Sequence, residues 1–158
     1  MKKLNLGCGG NYKEGWVNLD VIDVKKDIKH DLNKLPYPFK DNTFDEVLMR
    51  MILEHLDNPL IKLKEIIRIC KKGAKLTIIV PHAFSYANVT DLQHKTNFTE
   101  NSFGDALLME YELKNLKLVN KEFMYNNKWK KFIPFKKYLK IFFVGIYDDL
   151  MFNFIIEK

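Results

Sequence analysis

Three groups of residues in this sequence have side chains and spacings suited to chemistry. The first is the run Leu4-Asn5-Leu6-Gly7-Cys8-Gly9-Gly10, followed by Asp20. Glycines let a backbone turn sharply and come close to a ligand, and a carboxylate at the end of the next apolar run offers two acceptor oxygens to a ribose diol. A nucleoside-like ligand suits that combination. The second is Glu54-His55, close behind the apolar run 44–49. The third is His82, Asp91 and His94. An unperturbed imidazole titrates near neutral pH, so His82 or His94 is a candidate to take a proton from an acceptor hydroxyl. The same three residues are metal-ligand types, but their spacing matches no diagnostic pattern, and no metal site is assigned.

The elements that must position these groups follow from periodicity. Leu4 and Leu6 alternate as in a strand, and 16–22 is a second β-rich run. Only 10–15 separate them, whereas a parallel crossover normally needs about a dozen residues and a helix. A turn or a single helical turn is expected there, with Tyr12 or Trp16 covering surface that a helix would cover. A charged segment, 23–29, precedes a loop marked by Pro36, Pro38 and Asp41-Asn42. After the strand at 44–49, Asn58-Pro59 caps and opens a helix with an apolar face at Leu60, Leu63, Ile66, Ile67 and Cys70. Lys71-Lys72-Gly73 closes it. A β-branched strand at 75–80 ends at Pro81, and Thr99 reads as the cap of a further helix, with Phe98 stapled to Phe103. Strands at 116–123 and 152–156 complete the set.

A dinucleotide fingerprint would need a third glycine where Tyr12 stands, so that class fails. The Leu-Gly-Cys-Gly form, with Asp20, instead resembles the first motif of class I S-adenosylmethionine-dependent methyltransferases, in particular the small type-11-like group. The resemblance covers most of 2–124 and adds the Phe-Asp pair before the fourth strand, the Glu-His pair after it, and the Asp-x-x-His of Asp91 and His94. It implies an α/β, Rossmann-like three-layer sandwich: a mostly parallel seven-stranded sheet with an antiparallel edge strand, here with a shortened first crossover. It also implies S-adenosyl-L-methionine as cofactor, held by Gly7, Cys8, Gly9 and Asp20, with Asp31 and Leu32 at the adenine and Arg50 and His55 at the methionine end. His82 and His94 then face the acceptor, a small molecule or a saccharide.

The 158 residues suit one domain over 1–158 with one core. A hydrophobic share of 47% with 29% charged residues excludes a disordered chain. Two cysteines without metal-like spacing and the lack of a long apolar run predict a reducing, cytoplasmic setting. The net charge of +6 favours acidic partners and admits a nucleic-acid methyltransferase, against which the lack of an Asn-Pro-Pro-Tyr-type motif counts. A further alternative is an inactive cofactor-binding subunit of a partner enzyme, suggested by the short crossover. A basic and aromatic insertion at about 126–150 is expected either to pack its apolar face over the sheet or against a second copy of the chain, or to lie through 128–143 on an anionic membrane.

Overall fold

The computed structural model describes residues 1–126, 128–139 and 145–158. Its strands are β1 (Lys3–Leu6), β2 (Val17–Asp20), β3 (Ile28–Lys29), β4 (Phe44–Arg50), β5 (Cys70–Pro81), β6 (Leu116–Met124) and β7 (Asp149–Ile156). They form one sheet in the order β3-β2-β1-β4-β5-β7-β6. β1 to β5 pair in parallel, while β7 runs antiparallel to both β5 and β6. The reversed strand therefore sits one place in from the edge. Chain order reverses direction between β1 and β4, which opens a crevice at the carboxyl ends of those strands, where ligands of such sheets bind.

The first crossover contains no helix among the described residues. A buried amide pair does the joining instead: Asn5 Nδ2 donates to Asn18 Oδ1 at 3.0 Å and to the Asn11 carbonyl at 2.9 Å. Asn18 Nδ2 in turn donates to the Lys13 and Trp16 carbonyls, both at 2.9 Å. Asp27 closes the group by accepting from Asn18 N at 2.7 Å, and these bonds hold its carboxyl below the usual range. The loop's polar backbone is thus satisfied without a helical ladder. Trp16 lies half-buried against the Lys3 and Lys13 ammonium groups, and Tyr12 donates to Asp27.

Among the described residues four α-helices accompany the sheet: α1 (Pro59–Ile69), α2 (Tyr86–Thr90), α3 (Asp105–Glu110) and α4 (Lys136–Leu139). Asn58 caps α1 by accepting from Ile61 N, and Leu63, Ile66, Ile67 and Ile69 are buried, each worth about 1.5–3 kcal/mol. The helix ends at Ile69 rather than at Lys71-Lys72-Gly73, because Cys70 already pairs with Phe44 as the first residue of β5. Nor does a helix begin at Thr99. Its Oγ1 accepts from Asn101 N in a local turn, and α3 starts only after Gly104. The Phe98–Phe103 stack is nonetheless present, at 5.9 Å, and continues into Phe152 and Phe154.

Of the insertion, 126, 128–139 and 145–150 are described, and 140–143 of the segment expected on a membrane lie outside the described residues. Lys128–Phe132 forms a tight 3-10 turn, pinned where Lys130 Nζ meets Asp148 at 2.7 Å. The rings of Trp129, Phe132, Phe135 and Tyr138 do not pack on the sheet; all four are 64–83% exposed.

Asp149 is buried at the start of β7, and burial first, then the neighbouring Asp148, push its carboxyl up to about 6. In the unfolded chain it ionises near 4, so between about pH 4 and 6 the folded state binds more protons and stability falls as pH rises. Asp149→Asn is expected to remove about 3 kcal/mol of that loss and to raise the melting temperature at pH 7. Melting curves at pH 4 and 7 that shift equally in variant and wild type would rule this out.

Candidate functional site

A cleft of about 560 Å³ opens at the carboxyl ends of β1, β2 and β4, within the range of small-molecule sites. Its walls include Gly7, Gly9, Asp20, Ile52, His55 and Lys95. Gly7 and Gly9 have φ of +64° and +47°, and Gly7 N and Cys8 N both donate to the Leu19 carbonyl, so the turn is folded tightly onto β2. A Cβ on Gly9 would meet no atom within 4 Å, which leaves open space beside the loop. Asp20 is buried at the end of β2. Its Oδ2 accepts from Gly9 N at 2.7 Å, and its Oδ1 accepts from Val21 N and Ile22 N at 2.7 and 3.0 Å. Three donors on a carboxylate with about four lone-pair sites leave room for one more, so a ribose hydroxyl fits there.

A narrower branch of the cleft shares Gly7, Asp20, Val21, Ile52 and His55 and reaches Asp31, Leu32 and Leu56. Tyr37 Oη donates to the Leu32 carbonyl at 3.2 Å, and Asp31 Oδ1 accepts from Asn33 N, which fixes an apolar and an acidic side chain together at its end. Adenine, flat and edged by an amino donor, matches that end. Two predicted positions are elsewhere. The Cys8 side chain is buried beneath the loop with its thiol pushed up by burial and by Asp20, and Arg50 is exposed, reaching Asn11 Oδ1 at 3.4 Å. Met51 and Ile52 reach the cleft in place of Arg50.

The two histidines read as proton acceptors part company. His82 is fully buried, because its side chain turns from the end of β5 into the rings of Phe84, Phe123 and Tyr147. Its Nδ1 accepts from Phe84 N at 3.1 Å and its Nε2 faces Glu100 at 3.4 Å, so it does not reach the cleft. His82, Asp91 and His94 therefore do not come together. His94 stands behind His55, with the ring centroids 4.7 Å apart and edge to face. His55 is the histidine on the wall of the larger part of the cleft. Beside them Glu54 is 1% exposed, and burial pushes its carboxyl up to about 7, with Asp149 and Asp91 adding to the rise. The backbone explains the meeting of such distant residues: Lys95 N and Thr96 N donate to the Glu54 carbonyl at 2.8 and 3.2 Å.

Residues 17–78 match the methyltransferase domain family. An uncharacterized protein of Methanocaldococcus jannaschii is 54% identical over 48 residues, 30% of this chain; the matched stretch spans 21% of that protein's length. A SAM-dependent methyltransferase from Archaeoglobus fulgidus superposes with a TM-score of 0.72 at 18% identity, over 98% of this chain and 85% of that one. An S-adenosylmethionine-dependent methyltransferase from Mesorhizobium loti does so with a TM-score of 0.68 at 12% identity, over 98% and 90%. The matched stretch belongs to a methyltransferase domain, and the fold is the one that these S-adenosylmethionine-dependent methyltransferases share. This chain has that fold with a looped first crossover, and its glycine turn and Asp20 fit S-adenosylmethionine.

Proposed function

We propose that the chain transfers a methyl group from S-adenosylmethionine to a hydroxyl of a small-molecule or carbohydrate-like acceptor. The observation that carries this reading is the continuity of the cleft, in which the Asp31–Leu32 end and the histidine on the wall share Gly7, Asp20 and Ile52. When bound, the cofactor supplies a methyl group already activated on a sulfonium, so the chain's task is alignment and removal of one proton. The glycine turn and Asp20 hold the nucleoside, Leu32 and Asp31 take the adenine, and the cluster around His55 and His94 receives the acceptor hydroxyl.

Calorimetry with S-adenosylhomocysteine tests the binding half. A single site is expected, and Asp20→Ala should weaken it by about 1–3 kcal/mol. A wild type that binds nothing would sink the proposal. Labelled methyl transfer to a panel of hydroxylated acceptors tests the other half. Cofactor binding without transfer to any of them would favour the inactive-subunit alternative.

The exposed rings of Trp129, Phe132, Phe135 and Tyr138, interleaved with lysines, support a second element of the proposal: a segment that docks on an anionic membrane bearing a lipid-linked acceptor. No helix among the described residues is long and apolar enough to cross a membrane. The protein is expected to float with vesicles containing about a third anionic lipid at low salt and to detach as salt rises. Failure to float at low salt removes this element and leaves the methyl-transfer reading untouched.

A further inference from the structure

We propose that Glu54, His55 and His94 form a binding site for a divalent first-row transition cation, zinc being the simplest case, in the wall of the cleft. One ligand atom from each of the three lies within 4.8 Å of the other two. A second observation is independent of that spacing: Glu54 is almost fully buried, and among the described residues nothing donates to its Oε2. A buried carboxylate oxygen without a donor is costly and calls for a cation or proton.

The tautomer of His94 is set by its neighbours. Asn88 Nδ2 donates to the Ala83 carbonyl at 3.0 Å and to Asn97 Oδ1 at 2.8 Å, which turns Asn88 Oδ1 toward His94 Nδ1, 3.2 Å away. That oxygen can only accept, so Nδ1 carries a hydrogen and Nε2 is the nitrogen left to ligate an ion, the arrangement a metal-ligating histidine needs. Asp91 Oδ2 lies 3.5 Å from the same Nε2. With Glu54 it brings two carboxyl groups beside the two imidazoles, a donor set that suits a divalent ion.

Ligand bonds of about 2.0–2.2 Å place neighbouring ligand atoms roughly 3.0–3.5 Å apart, so side-chain movements on the order of 1 Å close the site around an ion. Two imidazoles and one carboxylate select zinc, iron, cobalt or nickel over magnesium and calcium, which prefer all-oxygen shells. Since His55 is on the wall, the remaining positions face the acceptor side, where a bound hydroxyl would lose its proton more readily. In the loaded protein the lone pairs of His55 and His94 hold the ion, and acidifying the acceptor passes to the ion. The site goes beyond the methyl-transfer reading and does not depend on it.

The test uses tag-free, chelator-stripped full-length protein titrated with Co²⁺ and read by its visible d–d absorption. One equivalent is expected to bind saturably and to be displaced by Zn²⁺. Glu54→Gln and His94→Ala should each weaken it at least a hundredfold, and Asn88→Ala about ten- to a hundredfold through the lost orientation of His94. Thermal unfolding gives a readout independent of the spectrum. Zn²⁺ should raise the melting temperature of the wild type but not of Glu54→Gln, which without metal should be at least as stable as the wild type because its carboxylate is gone. No saturable Co²⁺ signal in the wild type, or equal affinity in wild type and Glu54→Gln, overturns the site. Neither result bears on calorimetric binding of S-adenosylhomocysteine, so the two proposals fail separately.

Discussion

His55→Ala is expected to lower methyl transfer to a hydroxylated acceptor about 10²- to 10⁴-fold, while cofactor affinity changes by no more than about tenfold. His55 is the one imidazole on the wall of the larger part of the cleft, and it belongs to the narrow branch as well. In the proposed reading it therefore stands where the nucleoside end and the acceptor end join. A group that removes a proton, directly or by holding an ion that does so, acts only when the hydroxyl attacks, so its loss falls on the transfer step. A group that merely packs against the cofactor would lower affinity and leave transfer at saturating cofactor unchanged. Single-turnover rates at saturating cofactor separate the two, and an unchanged rate with weakened binding would end the proton-removal role. His94→Ala should follow in the same direction with a smaller loss, since His94 supports His55 from behind, 4.7 Å away between ring centroids.

Much of the glycine turn and its strand-end acid was legible in the chain because their signals are local. Gly7, Gly9 and Asp20 lie within fourteen residues, on two strands joined by a short loop, so a glycine turn with a strand-end acid could be read without knowing what packs around it. The strand pattern was legible for the same reason: Leu4, Leu6, Val47, Met49, Leu76 and Ile78 repeat at the period of a buried strand and are all buried. The histidine cluster was not. His55 and His94 stand 39 positions apart (94 − 55), and they meet because Lys95 and Thr96 bond to the Glu54 carbonyl, a tertiary contact with no signature in spacing. His82 offered the same residue type in a similar loop, yet an aromatic pocket claims it. The helix expected at Thr99 failed because the Ser102 hydroxyl and Thr99 itself satisfy the nearby N–H groups in a turn, a use of Ser and Thr that competes with capping. The looped crossover was visible as a length, but the Asn5–Asn18 pair that makes it stable was not, since a buried amide pair leaves no periodic trace.

Gly7→Ala is expected to destabilise the protein by about 2–4 kcal/mol and to abolish measurable cofactor binding. Two separate effects combine. The first is conformational: Gly7 has φ of +64°, a left-handed backbone that costs an L-residue roughly 1–2 kcal/mol. The second is steric: a Cβ there would lie 2.5 Å from Ile52 Cγ1 and 2.8 Å from Ile52 Cβ. Ile52 cannot yield freely, because a β-branched side chain has few rotamers and its Cβ moves only with the backbone. Met51 before it is also left-handed, with φ of 52°, and its N–H is tied to the Ile79 carbonyl at 2.8 Å. Ile52 lines both branches of the cleft, so any shift of its side chain reshapes the cleft wall. Stability and binding should therefore fall together. Ile52→Ala in the Gly7→Ala background removes the Cγ1 clash but leaves the Cβ contact, so it should restore part of the melting temperature and none of the left-handed cost. A double variant no more stable than additivity predicts would show that Ile52 is not the obstacle, and the cleft would then need a different account of why the turn requires glycine.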